Sequence, residues 1–213
     1  MGWSLCQGGN GGGEAKVIRN IYAPTDQASS ETYTITESGL YVIIAGYSAK
    51  GSATITLPSG RTAIVSGDLI IDSPSYPRGL KYAVSELRTN DVVTIGSTAG
   101  NWAGHGRFIG KIEGFDITSG TAVAEVIQKD AIASYTIPDN TPYFLIGFGC
   151  GKDGNNTSYC HGDTSISDTS ITTEGGANCV ARFSYCSGMQ GAVYTTYAYN
   201  GGVSVIVALR ASA

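Results

Sequence analysis

Few side chains in this sequence are spaced as acid–base or metal chemistry requires. The two histidines, His105 and His161, have no accompanying catalytic spacing. The oxygens of Asp163, Asp168 and Glu174 suit calcium, but their segment lacks the EF-hand and nonapeptide patterns, so we interpret it as a solvated loop. Paired carboxylates cannot be assigned to a shared cleft. The sequence therefore predicts no enzyme, no metal site and no cofactor, with a polysaccharide-degrading enzyme as the alternative.

The cysteines are odd in number and concentrated in the C-terminal third, unlike the disulfide framework of a small secreted domain. Reduced thiols are the expectation. A zinc site is the alternative because a cysteine adjoins His161, although no Cys-x2-Cys spacing is present. The five residues are Cys6, Cys150, Cys160, Cys179 and Cys186.

Two turn-forming segments, 100–106 and 151–159, are candidates for contacting a ligand. In the first, Trp102 is suited to stack on a sugar ring, while His105 or Asn101 donates hydrogen bonds. A surface loop without a ligand is the alternative for each segment. The candidate ligand-binding residues are Asn101, Trp102, His105, Asn155, Asn156 and Tyr159.

The composition favours short strands over helices. Charged residues make up only 14% of the chain, against 30 glycines and 13 tyrosines. The net charge of -4 and the lack of a basic run argue against a nucleic-acid partner. The longest apolar stretch, Leu40–Ala45, is far shorter than the roughly 20 residues of a membrane-spanning helix. We therefore expect no nucleic acid and no membrane insertion.

The second half of the sequence repeats features of the first. The pattern around Tyr33 and Leu40 returns around Tyr135 and Pro142 at a constant spacing of 102 residues. The segment 15–20 is also matched to 124–129. We predict an N-terminal arm at 1–14, a first β-sandwich at 15–118 and a second at 119–213.

Turn residues divide the first half into eight short apolar or alternating runs, which is typical of a sandwich or barrel. Ser52–Leu57 alternates with period two and predicts a half-buried strand. The turns Pro58–Gly60 and Thr89–Asp91 are predicted to join antiparallel neighbours as hairpins. Thr121–Asp130 is interpreted as a strand. The predicted strands are 15–22, 31–37, 40–49, 52–57, 62–71, 80–88, 91–97 and 107–117.

Three segments resemble the jelly roll of the tumour-necrosis-factor and complement globular-head superfamily. Ser38–Tyr47 is similar to the family's strand after a "pGlY" turn, Leu87–Ile95 to its "L-x-x-G-D-x-V" hairpin, and Arg107–Ile112 to its closing "F-x-G-x-x-I" strand. The second half keeps Tyr143–Gly147 but lacks the "G-D-x-V" element. The fold class we predict is all-β, with two tandem antiparallel jelly-roll-like β-sandwiches. Because members trimerise through an aromatic-rich sheet, the resemblance implies a homotrimer.

Similar domains occur in bacteriophage tail fibres, baseplates and head fibres, so the resemblance implies a structural protein of the virion surface, made in the host cytoplasm. Its role would be receptor binding through host polysaccharide, or decoration of the capsid or tail. The lack of a secretion signal at the N-terminus favours this interpretation. The alternative is an extracellular bacterial adhesin or carbohydrate-binding module. A glycine-rich arm would anchor the chain in other virion proteins through Trp3, Leu5, Gly8, Gly9, Gly11 and Gly12.

Overall fold

The computed structural model describes residues 17–22, 30–48, 52–71, 78–98, 105–127, 131–151, 157–160, 164–171, 178–198 and 202–212. These residues form sixteen β-strands and no helix, which confirms the all-β prediction. The strands are β1 (Val17–Tyr22), β2 (Ser30–Thr34), β3 (Gly39–Ser48), β4 (Ser52–Thr56), β5 (Val65–Ile71), β6 (Arg78–Leu87), β7 (Val92–Thr98), β8 (His105–Glu113), β9 (Ile117–Ile127), β10 (Ala131–Thr136), β11 (Tyr143–Gly151), β12 (Thr157–Cys160), β13 (Thr164–Ile171), β14 (Asn178–Cys186), β15 (Val193–Ala198) and β16 (Gly202–Ala211).

The strands form four antiparallel sheets, two from each half of the chain. In the first half, the order β1-β8-β3-β6-β5 makes a five-stranded sheet, the first inner sheet. The order β2-β7-β4 makes the three-stranded first outer sheet. In the second half, β9-β16-β11-β14-β13 makes the second inner sheet, and β10-β15-β12 the second outer sheet. Each strand of the first half thus has a counterpart at the same place in the second.

Three apolar layers hold the four sheets together. One lies between the first inner and outer sheets and includes Ile43 and Ile95. Another lies between the second inner and outer sheets and includes Leu145 and Tyr194. The largest, the central core, lies between the two inner sheets and draws residues from both halves. The central strands β3 and β11 of the inner sheets are therefore buried on both faces, whereas the edge strand β5 keeps exposed residues such as Ile70.

The burial of the strands explains their sequence patterns. In β3, Leu40–Ala45 is a continuous apolar run because alternate side chains enter the central core and the layer under the first outer sheet. In β4, the residues alternate between exposed and half-buried, as predicted for a strand with one solvent face. The composition of each strand therefore reports how many of its faces are covered.

Aromatic rings join the two halves across the central core. The Phe115 ring centroid lies 5.6 Å from that of Phe144 and 6.2 Å from that of Tyr185. Phe108 lies 5.8 Å from Phe183. These separations fall within the range of favourable aromatic pairs. The aromatic faces of the two inner sheets therefore cover one another.

The contacts between the inner sheets are reciprocal. Strand β1 contacts β13, while its counterpart β9 contacts β5, which is the counterpart of β13. Such an exchange of equivalent elements is the property of an isologous, two-fold interface. The two halves consequently pack like the subunits of a symmetric dimer within one chain.

All eight strands predicted for the first half are present, with ends shifted by a few residues; the last ends at Glu113 instead of 117. The segment 121–130 is confirmed as a strand as far as Ile127. The predicted boundary between residues 118 and 119 stays a prediction; the turn at Gly114–Asp116 precedes β9.

The prediction of hairpins at the two turns is wrong. Both turns form, since Arg61 N donates to Pro58 O at 3.0 Å and Asp91 N donates to Arg88 O at 2.9 Å. However, each turn carries the chain from one sheet to the other. The first joins β4 of the outer sheet to β5 of the inner sheet, and the second joins β6 of the inner sheet to β7 of the outer sheet. A tight turn fixes the local reversal of the chain, whereas the partner of a strand depends on which layer buries its apolar face.

The match of segment 15–20 to 124–129 is also wrong in register. In β1, Asn20 lies opposite Gly110 of β8, and at the equivalent place in the second half Gly120 lies opposite Leu209 of β16. The start of β9 is therefore the counterpart of β1. Apolar, β-branched strands resemble one another at several offsets, so the sequence match alone did not fix the pairing.

Candidate binding cleft at the junction of the two halves

Most of the sequence-predicted ligand residues lie outside the described residues, namely Asn101, Trp102, Asn155 and Asn156. The same holds for the arm residues Trp3, Leu5, Gly8, Gly9, Gly11 and Gly12. His105 begins β8 opposite Tyr47 in the first inner sheet, and Tyr159 lies in β12 opposite Thr195 in the second outer sheet. The structure thus places His105 and Tyr159 in different sheets of different halves.

Four of the five cysteines lie in described strands. Cys186 is a free, buried thiol in the layer under the second outer sheet, as expected for a reduced cysteine. Cys150 of β11 and Cys179 of β14 are register partners in the second inner sheet. Cys6 lies outside the described residues. Within the part of the chain that the structure describes, no group of three His, Cys, Asp or Glu side chains is arranged to hold a metal ion.

A cleft of about 780 Å³ lies where the first half joins the second. We call it the junction cleft. One wall is the end of the first inner sheet, where Glu86 of β6, Leu40 of β3 and Ile112 of β8 stand in one row across three strands. The opposite wall is the connection Gly114–Ile117. The cleft therefore opens at the end of the central core.

The base of the junction cleft is apolar. Leu40, Ile112 and Phe115 line it and are almost fully buried as members of the central core. The connection is fixed to the C-terminal strand, because Ser212 N donates to Asp116 O at 2.9 Å. The cleft thus has an apolar base and a wall tied to both halves of the chain.

An ion pair anchors the loop at one side of the cleft. Arg61 Nε donates to Asp91 Oδ2 at 2.6 Å, and the same oxygen accepts Arg88 N at 2.7 Å. The hydrogen bond from Arg61, followed by that from the Arg88 backbone, holds the pKa of Asp91 below its usual value. Asp91 therefore stays an anion that joins the loop after β4 to the turn before β7.

A second set of ion pairs lies at the other side. Lys111 Nζ is 2.9 Å from Glu37 Oε2, and Arg19 bridges Glu37 at 2.7 Å and Glu113 at 2.9 Å. The hydrogen bond from Lys111, then that from Arg19, lowers the pKa of Glu37. An added Cβ at Gly39 would lie 2.6 Å from Lys111 Cε, so glycine leaves room for the lysine stem. The charges of Lys111 and Glu113 are thus already engaged within the protein.

Three other charged side chains of the cleft differ from the ion-paired ones in being exposed. Glu86, Arg88 and Asp116 line the junction cleft and are exposed. Among the described residues, none of the three side chains forms an ion pair or hydrogen bond. Two acceptor groups and one donor group therefore face solvent, and the Arg88 charge also contributes to lowering the pKa of Asp91.

The second half repeats the frame of this region. Asp139 pairs with Arg210 at 3.1 Å, in the places that Glu37 and Lys111 occupy in the first half. The Tyr143 hydroxyl donates to Asp139, as the Tyr41 hydroxyl donates to the Glu37 carbonyl. A backbone hydrogen bond from Thr141 is the main cause of a lowered pKa at Asp139. An ion pair beside this tyrosine is therefore common to both halves.

The turn before the outer-sheet strand is also repeated. Asn90 has a φ of 72° and Gly191 a φ of 84°, so both occupy the left-handed region that Asn and Gly tolerate best. Ser38 Oγ accepts Thr89 N at 3.1 Å, and Asn140 Oδ1 accepts Gln190 N at 3.3 Å. The local geometry is therefore the same in both turns.

The charges of the turn at residues 86–91 are not repeated. At the positions equivalent to Glu86 and Arg88, the second half has Ser187 and Met189, and Asp91 is replaced by Ala192. The fold at this end of a sandwich therefore does not require these charges. The sequence analysis did not identify Glu86 and Arg88 as candidate site residues. An alignment of residues 86–91 with 187–192 would have shown that only the first half is charged here.

Comparisons of the chain with protein-family models, with curated protein sequences and with solved structures gave no significant match in any of the three. The likeness to the tumour-necrosis-factor and complement superfamily stays a prediction. In the part that the structure describes, no helix has the length and hydrophobicity needed to cross a membrane. The fold and the cleft define an all-β, sandwich-type protein with a polar groove at the junction of two repeated halves.

Proposed function

We propose that this chain is a non-enzymatic structural protein of a bacteriophage virion surface, a fibre or decoration protein that contacts glycans of the host cell. The virion assignment comes from the resemblance of Ser38–Tyr47, Leu87–Ile95 and Arg107–Ile112 to jelly rolls found in such particles. The observation that carries the binding role is the junction cleft, which has an apolar base, a polar rim and a frame fixed by ion pairs. Such concave sites are the default binding sites of proteins.

Two carboxylates beside the cleft serve its frame. The pKa values of Glu37 and Asp91 are lowered by their hydrogen-bond donors. Both side chains act as fixed anions that hold turns in place.

Multivalency would strengthen attachment to a repetitive surface. An oligomer that presents several weak sites on one rigid body gains orders of magnitude in avidity. The homotrimer stays part of the proposal. Its subunits would associate through surfaces other than the aromatic faces of the inner sheets, since these faces are buried in the central core.

The test combines binding with a measure of catalysis. The purified full chain is sized by light scattering and then incubated with candidate host cells and with a glycan array. We expect cell and glycan binding, with the mass of the glycans unchanged. Lack of binding to both would contradict attachment, and surface labelling of particles with an antibody would then test decoration. Shortening of the glycans would contradict the non-enzymatic role.

The alternative, a bacterial secreted adhesin or carbohydrate-binding module, shares the binding role but differs in location. A secretion signal encoded upstream in the full gene, with the protein in the culture medium, would favour it. Cross-linking of residues 1–14 to another virion protein in intact particles would favour the bacteriophage proposal.

A further inference from the structure

The three unpaired charges of the junction cleft indicate which kind of glycan it accepts. Glu86 and Asp116 contribute two negative charges and Arg88 one positive charge. The other cations of the lining, Arg61 and Lys111, are neutralised by ion pairs within the protein. A sugar carrying carboxylate, sulfate or phosphate groups would therefore meet more repulsion than attraction.

The same groups suit hydroxyl recognition. Carboxylates accept hydrogen bonds from hydroxyl groups, and a guanidinium donates to ring or hydroxyl oxygens. Beneath them, Leu40, Ile112 and Phe115 close the base of the cleft and are almost fully buried, so the polar rim supplies the contacts. An uncharged pyranose presents several hydroxyl groups, and no net charge, to such a rim.

The internal repeat supports a binding role for Glu86 and Arg88. Ser187 and Met189 occupy the places of Glu86 and Arg88 in the second half, where the same turn forms without them. The ion pair of Asp91 with Arg61, which fixes the wall beside them, is likewise present only in the first half. The charges therefore go beyond what the turn needs for its structure.

We infer that the junction cleft binds an uncharged glycan segment through Glu86, Arg88 and Asp116. This inference rests on the proposed glycan-contacting function and names its site and ligand class. Because the frame is fixed by ion pairs and backbone hydrogen bonds, binding orders chiefly these three exposed side chains. Each of the three side chains would contribute a charge-assisted hydrogen bond.

The experiment uses the full chain and an array of neutral hexose and N-acetylhexosamine oligosaccharides beside uronic-acid, sialylated and sulfated ones. We expect neutral glycans to be preferred. Affinity for the strongest neutral probe is then titrated by calorimetry for Glu86→Ala, Arg88→Ala and Asp116→Ala. Each variant should bind about 10- to 100-fold more weakly, as expected for loss of a hydrogen bond to a charged group.

A charge-matched control is Asp68→Ala, which removes a carboxylate on β5 outside the cleft, where it pairs with Lys81 at 2.9 Å. This control should bind neutral glycans as strongly as the unmodified protein does. All four alanine variants should keep the melting temperature of the unmodified protein. A further variant, Asp116→Lys, should shift the preference towards the anionic glycans without loss of folding.

The outcomes separate the two proposals. Preference for anionic glycans by the unmodified chain overturns this inference and leaves the proposed function in place. The inference is also overturned, with the proposed function left in place, if neutral-glycan binding is unchanged in Glu86→Ala, Arg88→Ala and Asp116→Ala. Absence of binding to every glycan and to host cells overturns glycan contact itself.

Discussion

Replacing Phe144 by alanine tests whether the central core joins the two halves into one cooperative unit. Phe144 is fully buried on β11 of the second half, and its ring contacts Phe115, at the end of the first half, at 5.6 Å. Truncating a buried phenylalanine costs about 3–5 kcal/mol, because contacts are lost and a cavity remains. For a chain of this size, that loss lowers the melting temperature by roughly 6–20 °C.

The assay is differential scanning calorimetry, supported by urea unfolding followed by tyrosine and tryptophan fluorescence. We expect one transition for the unmodified protein and one transition, shifted down, for Phe144→Ala. The control is Val92→Ala, which truncates a side chain that is 46% exposed and should change stability by less than about 0.5 kcal/mol. Two separate transitions, of which Phe144→Ala moves only one, would show that the halves unfold independently and would refute the reasoning.

Three further predictions concern charge, backbone conformation and packing. Lys111 holds the folded-state pKa of Glu37 below its unfolded value of about 4.3, so this stabilisation is present above that pH and lost as the pH falls through the folded pKa. The free energy of unfolding in urea should exceed that of Glu37→Gln by less at pH 3 than at pH 7. A difference that stays constant with pH would contradict this. At a φ of 72°, Asn90→Val should cost about 1–2 kcal/mol while Asn90→Gly is tolerated, and equal unfolding midpoints would count against the strain. Gly110→Ala would place a Cβ 2.7 Å from the Phe108 ring and should cost about 1–3 kcal/mol; an unchanged melting temperature would refute the close packing.

Local signals were sufficient to predict the strands of the first half. Ser52–Thr56 alternates because one face is covered, and turn residues such as Asn90 interrupt the apolar runs. Strand propensity and turn chemistry act over a few residues, so the sequence carries them directly. The repeat at Tyr33 and Tyr135 was equally visible, because both tyrosines belong to equivalent strands, β2 and β10.

The junction cleft could not be predicted in the same way. Glu86 and Asp116 are 30 residues apart in the sequence, and both look like ordinary surface carboxylates. They come to line one cleft only because β6 ends beside the connection between the halves. Even the ion pair of Arg61 with Asp91 depends on a turn that crosses between two sheets.

The amino-acid pattern alone predicts short antiparallel strands, the turns that interrupt them, and a second half that repeats the first. These properties follow from alternation, β-propensity and positive-φ residues, which are local. In contrast, the crossing of the turns between sheets and the central core shared by the two inner sheets depend on tertiary packing. An apolar run such as Leu40–Ala45 requires burial on both faces, but many surfaces can provide it. The choice among them depends on long-range packing, which no local pattern encodes.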